Sequence, residues 1–327
     1  MPGSTIIVLG MHRSGTSALA GLLSSAGAEF GDRLIAADAS VNPKGFWEHE
    51  EIVALHDRAL AALGMSWDDP RRMPEGWTDA PELRPLRTEL LRIVRRDFSE
   101  VPLWGLKDPR LCRLLPLWAP LFEELAVKPR VAMILRHPLE VAASLHRRNR
   151  FHTGHALLLW LRHVGEAAQH SAAFPATVLT YEALLQDWRL ALAHIGRDLA
   201  LPLSAGPKGR GDAEFVEPAL RHHAAEAEAD VAHPLLPMAQ VLYQSAGTVD
   251  QLRKAWDSAA ENLEAIAPVI AQWSDEVEAL SADLERLSSR EGYLTAEVRR
   301  VKSTMSWRLT GPLRGVYNLL KRPRGGC

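Results

Sequence analysis

A chain of 327 residues, 47% of them apolar, can hold one large α/β domain plus an appendage. Lys and Arg number 38 against 40 Asp and Glu, a net charge of −2, so no whole-molecule field draws it to nucleic acid. Two cysteines far apart in sequence, Cys112 and Cys327, argue against a disulfide framework and agree with a reducing compartment. The N-terminus lacks a basic region, apolar segment and cleavage site, and no stretch approaches a membrane span; the expectation is a cytoplasmic, non-integral protein.

The first predicted element is an apolar strand over residues 5–9, opening directly onto Gly10-Met-His-Arg-Ser-Gly-Thr-Ser17 and then a helical pattern over 18–26. Strand, glycine-bounded loop and helix in this order gather backbone N–H groups and a helix N-terminus around one point, a cradle for a phosphate-like anion. The bland alternative is a glycine-shaped strand-to-helix turn, but Ser14, Thr16 and Ser17 line the loop together with Arg13. A Walker A loop needs Lys directly after its second glycine, and here Thr16 follows Gly15. The guanidinium of Arg13 suits a terminal anion held by paired hydrogen bonds.

Helical patterns follow over 50–63 and 81–98, a strand over 103–106, a strand over 130–135, helices over 139–147 and 155–170, a strand over 177–181 and a helix over 182–199. Such alternation predicts an α/β fold, a P-loop-like parallel sheet flanked by helices, with ligands bound beyond the carboxyl ends of the strands. Residues 203–240 carry Gly, Pro and charge without clear period and read as irregular capping structure.

From Leu252 through Trp256, Ala259, Leu263, Ile266, Ile270, Trp273, Val277, Leu280, Leu284, Leu287, Leu294, Val298 and Val301 to Met305 a 4-3 spacing runs on, with Glu291 alone breaking the apolar seam. This predicts a long C-terminal coiled-coil helix of roughly 80 Å, kinked or interrupted at Pro268. Two outcomes stay open: a homo-oligomer or partner helix, or a helix folded back on its own domain. After Glu297 every charged residue is basic; Leu313, Val316, Tyr317 and Leu320 share a helical face, Pro312 fits an N1 position and Trp307 an interface. The tail reads as a helix lying on the inner face of an anionic membrane, or as a frayed basic end. The expected division is a catalytic domain over 1–245, a coiled-coil segment over 246–305 and a basic amphipathic tail over 306–327.

Arg136 ends an apolar strand and begins Arg136-His-Pro-Leu-Glu-Val-Ala-Ala-Ser144, where Pro138 starts a helix whose first turns bring Ser144 back toward the strand end. The pair of this segment with Gly10–Ser17 resembles the two cofactor loops of sulfotransferases, which use 3′-phosphoadenosine 5′-phosphosulfate (PAPS) and release the bisphosphate PAP. The resemblance covers roughly residues 1–200. It implies that His12, Arg13, Ser14, Gly15, Thr16 and Ser17 hold the 5′-phosphosulfate and that Arg136 and Ser144 hold the 3′-phosphate. Arg13 stands where the cytosolic branch has Lys and bacterial members commonly have Arg, and would neutralise charge building on the leaving phosphate.

An acceptor hydroxyl or amine must also lose a proton. The candidate base is Glu48 in Asn42-Pro-Lys-Gly-Phe-Trp-Glu-His-Glu-Glu51, a region where related bacterial enzymes place a carboxylate; His49 is a weaker neighbour, and an acidic helix N-terminus is the plain alternative. Phe46 and Trp47 offer flat faces for a sugar ring. Lys107-Asp108-Pro109-Arg110 resembles the Lys-Asp-Pro-Arg of bacterial polysaccharide-linked sulfotransferases; Lys107 would assist the sulfuryl oxygens, while Asp108 is a second-choice base or a structural tie. His146, Arg147, Arg148, Asn149 and Arg150 form a basic patch suited to an acidic glycan, or a solvated helix end. The family's adenine-covering loop has only a weak stand-in at Lys208-Gly-Arg-Gly211. The expected activity is sulfuryl transfer from PAPS to a carbohydrate or cell-surface glycan, without a metal. A P-loop kinase or NTPase using Asp108 as a Walker B acid, and a nucleotide-binding coiled-coil scaffold, are the alternatives.

Overall fold

Four short apolar runs become one parallel sheet: β1 (Ser4–Leu9), β2 (Leu103–Lys107), β3 (Lys128–Leu135) and β4 (Ala176–Thr180), in the order β2-β1-β3-β4. A computed structural model describes residues 3–37, 45–203 and 233–303, and the chain divides into two compact units, Met1–Ala267 and Pro268–Cys327. Ile6 to Leu9 of β1 are fully buried, as a central parallel strand covered on both faces requires. Ile6, Val8, Ala132 and Ile134 pack with Leu19 and Leu23 of α1 (Thr16–Ser25) and with Leu192 and Ile195 further along the chain. Ile7 and Leu9 alternate with them and turn to the other face.

Because β1 lies between β2 and β3, the chain leaves its carboxyl end in opposite directions on either side, and the loops after β1 and β3 become neighbours at a topological switch point. Leu9 is in register with Met133, so Gly10 comes against β3: a Cβ there would stand 2.5 Å from the Ile134 carbonyl oxygen. Only glycine permits that approach.

After α1 the helices between strands are α2 (Glu50–Ala62), α3 (Arg84–Phe98), α4 (Leu111–Glu124), α5 (Pro138–Asn149) and α6 (Thr153–Ser171), and α7 (Tyr181–Gln186) and α8 (Trp188–Asp198) follow β4. Two depart from expectation. The helix foreseen over 182–199 is broken at Asp187, whose carboxylate accepts the N–H groups of Arg189 (2.9 Å) and Leu190 (3.0 Å) and caps α8. α4 was not foreseen, because it carries Pro116 and Pro120 inside it. Pro116 has no N–H for the carbonyl of Cys112, and the His170 ring Nδ1 lies 3.1 Å from that oxygen instead.

Part of the stretch expected to be irregular is helical, α9 (Leu236–Gln244); Lys208–Gly211 lies outside the described residues. The apolar seam from Leu252 is divided. In α10 (Val249–Ala265), Leu252, Trp256, Ala259 and Leu263 are buried, and the helix packs against α6 and α9 within the first unit. For this portion, of the two outcomes left open, the helix folds back on its own domain. Trp256 lies flat on Gly165 of α6, where a Cβ would come within 2.0 Å of the indole. Gly165→Leu is therefore expected to evict the indole and cost about 1–3 kcal/mol, read as a lower midpoint in urea unfolding. The second unit begins with α11 (Ala267–Ser303), so the chain does interrupt its helix beside Pro268. Met305 and the basic tail lie outside the described residues. Among the described residues no helix is long and apolar enough to cross a membrane.

Candidate active site

The loop after β1 turns through Arg13 and Gly15, both at positive φ (70° and 89°), so that Ser14 N–H closes on Met11 O at 3.1 Å. Gly15 occupies the N-cap of α1 and brings no side chain to cap it, which leaves first-turn N–H groups for an anion. The same glycine admits a neighbour: a Cβ at residue 15 would fall 2.3 Å from the Tyr181 ring.

The second loop meets the first directly. Arg13 Nε donates to Ser144 Oγ at 2.9 Å, across 131 residues of sequence. Arg136, buried at the end of β3, donates from Nε to Glu140 Oε2 at 2.7 Å and lies over the Tyr181 ring, 4.8 Å from its centroid. Its backbone is fixed as well, since Trp160 Nε1 donates to Arg136 O at 3.1 Å. Among the described residues, Arg136 Nη2 and Ser14 Oγ are buried without a hydrogen-bond partner. Buried donors of this kind are costly unless something accepts from them, and an anion between the loops would do so. Burial first, then the charges of Arg148 and Arg136, push Arg13 below the ordinary guanidinium value. The loops concentrate positive charge in a partly desolvated place.

A third group completes the site. Lys107, at the end of β2, reaches Phe46 O (3.0 Å) and Ser17 Oγ (3.3 Å) and forms a buried ion pair with Glu48. Ser17 Oγ donates to Phe46 O at 3.3 Å, so the segment before α2 is tied to the first turn of α1. Trp47, at φ 60°, turns the chain so that Glu48 points inward. Burial raises the Glu48 carboxyl above its ordinary range, and the charge of Lys107 acts in the opposite sense. A buried carboxylate whose proton affinity is raised in this way can accept a proton.

The other candidates fall into place around this core. Thr16 is buried in the first turn of α1 with its methyl against Gly10. The His12 ring turns instead toward Trp67 (centroids 4.5 Å apart) and His163 (6.1 Å). Burial, then His163, Arg110 and Arg148, hold His12 well below the ordinary imidazole value, so its side chain brings no positive charge to the loop. His49 faces Asp97 (3.0 Å). Asp108 binds His56 Nδ1 at 2.7 Å, while Trp118 Nε1 donates to His56 Nε2 at 2.9 Å. Burial acts to raise the Asp108 carboxyl, but Arg110 and His56 outweigh it and hold it far below the usual range. Arg110 in turn grips Asp57 of α2 at 2.6 and 3.1 Å. Asp108 and Arg110 thus brace β2 against α2, and Lys107 is the member of that motif that faces the site.

No protein-family model matches this sequence, and no curated protein does. Among solved structures, the sulfotransferase domain of the Synechococcus PCC 7002 olefin synthase is similar at 16% identity and a TM-score of 0.45, covering 74% of this chain and 95% of that one. The sulfotransferase domain of the curacin biosynthetic pathway is similar at 13% identity and a TM-score of 0.44, covering 75% and 98%. Sulfotransferase STF1 from Mycobacterium tuberculosis H37Rv stands at 14% and 0.33, covering 78% and 77%.

Tyr181 and Trp160 escaped sequence reasoning, though the first sits against Gly15 and under Arg136 and the second anchors Arg136. One is the last apolar residue of a strand pattern and the other lies within an apolar helix run, where aromatic residues ordinarily serve the core.

Proposed function

We propose that this chain transfers a sulfuryl group from PAPS to a hydroxyl of a carbohydrate. The observation that carries the reading is the Arg13–Ser144 contact, which joins two anion loops on adjacent strand ends within reach of Lys107 and Glu48. The unpartnered Ser14 Oγ and Arg136 Nη2 give the site's residues a use for the donor's two anionic ends. PAPS supplies a sulfuryl group on a phosphate leaving group. As the acceptor oxygen–sulfur bond forms and the sulfur–phosphate oxygen bond breaks, the acceptor proton passes to Glu48 and the electron pair stays on the departing phosphate, beside Arg13. Lys107, drawn from Glu48 toward the sulfuryl oxygens, would free the base.

An acidic glycan fits the rim. Arg148 lies over the Trp67 ring at 5.4 Å, and the charge of Glu48 reaches it. Trp67 in turn stacks on Phe151 at 5.8 Å, so the guanidinium is held in place as a cation for a glycan carboxylate or sulfate.

Titration calorimetry of the full chain tests the reading. PAP is expected to bind without Mg²⁺, with PAP released from PAPS when acidic glycans are supplied; uptake of ATP with Mg²⁺ and indifference to PAP would establish a nucleoside triphosphate enzyme instead.

A further inference from the structure

Among the described residues, the apolar seam of α11 is exposed from Val277 onward. Val277, Leu280, Leu284, Leu287, Leu294 and Val298 are between 39% and 67% exposed, yet they recur at alternating three- and four-residue steps along one face. That face spans 22 residues from Val277 to Val298, about 32 Å of helix, and a helix in water owes most of its stability to covering such a stripe.

We infer that α11 pairs with α11 of a second copy of this chain, as a parallel two-stranded coiled coil, with Arg290 of each copy bound to Glu291 of the other. The 3-4 spacing puts Val277, Leu284, Glu291 and Val298 at the a positions and Leu280, Leu287 and Leu294 at d. Valine at two of the four a positions with leucine at all three d positions favours two parallel strands. The flanking charges choose the occupant. The g residues Asp283, Arg290 and Glu297 meet the partner's e residues five positions on, Ser288, Thr295 and Lys302. None of these pairs is like-charged, and Glu297 meets Lys302 of the second copy. Glu291 is the apparent flaw, since a parallel pair brings the two a-position carboxylates together. The hole that receives an a side chain, however, includes the partner's preceding g residue, here Arg290. The two-fold axis then makes the bond twice, Arg290 to Glu291 and Glu291 to Arg290, the reciprocity of an isologous interface. An antiparallel pair places these residues apart.

Sedimentation of the full chain tests this, with PAP binding measured in parallel because neither result depends on the other. Wild type is expected to show a concentration-dependent monomer–dimer equilibrium. Arg290→Glu and Glu291→Arg alone are each expected to weaken it roughly tenfold or more, and the double swap to recover most of the loss. Glu291→Leu is expected to tighten it. A monomer up to roughly 100 µM, a trimer or tetramer, or a double swap no better than the single variants would each overturn the assignment.

Discussion

Glu48→Gln is expected to lower turnover by about 10²–10⁴ while leaving PAP affinity close to wild type. Glutamine keeps the size of the side chain and an oxygen for Lys107 to donate to, so the ties among Lys107, Ser17 and Phe46 O survive. What it loses is the ability to take a proton. Single-turnover measurements with PAPS preloaded separate this from a binding defect. The pH profile gives a second reading. Burial raises Glu48, so the acidic limb of kcat/KM, where activity climbs as the base deprotonates, is expected above the range of an exposed glutamate. Lys107 acts against that rise by charge and hydrogen bond, and Lys107→Met is therefore expected to move the limb further up. Unchanged turnover in Glu48→Gln would assign proton removal to another group.

The part of the site visible in the sequence is the part made by contiguous residues. The apolar run of β1, the glycines at 10 and 15 and the start of α1 lie within one short stretch, and Arg136 to Ser144 is another. Their local chemistry specifies a strand end, a tight turn and a helix start. What brings them together is strand order, and that depends on crossovers of the whole chain. Lys107 and Glu48 each stand out in their own segments, but that they pair, across 59 residues, rests on the same crossovers. α4 shows the same limit in the fold: Pro116 forbids a helix by local rules, and the carbonyl it leaves bare is met by His170, 58 residues from Cys112. The C-terminal seam shows it once more. One periodicity covers Leu252 to Val298, but period alone does not state which surface a stripe covers. Gly165, which lets Trp256 settle on α6, decides that for α10.

Arg136→Ala is expected to weaken PAP by roughly 10–100-fold, the worth of one charge-assisted hydrogen bond of about 1.5–3 kcal/mol. The guanidinium is held before any ligand arrives, by Glu140 below it and the Tyr181 ring against its face, so little ordering remains to oppose binding. The assignment to the 3′-phosphate is tested by subtracting that group from the ligand. Adenosine 5′-monophosphate, which is PAP without that group, is expected to bind wild type and Arg136→Ala with nearly equal affinity, so that the loss seen with the bisphosphate disappears in the cycle. Arg13→Ala is expected to behave otherwise and to weaken both ligands. Removing Arg136 also takes from the buried Glu140 the guanidinium paired with it, a cost in stability that Arg136→Lys avoids while sacrificing the planar fork. An Arg136→Lys protein that unfolds like wild type yet binds PAP several-fold more weakly would place the loss in recognition of the phosphate. Equal losses for the two ligands would move Arg136 to the phosphosulfate end of the site.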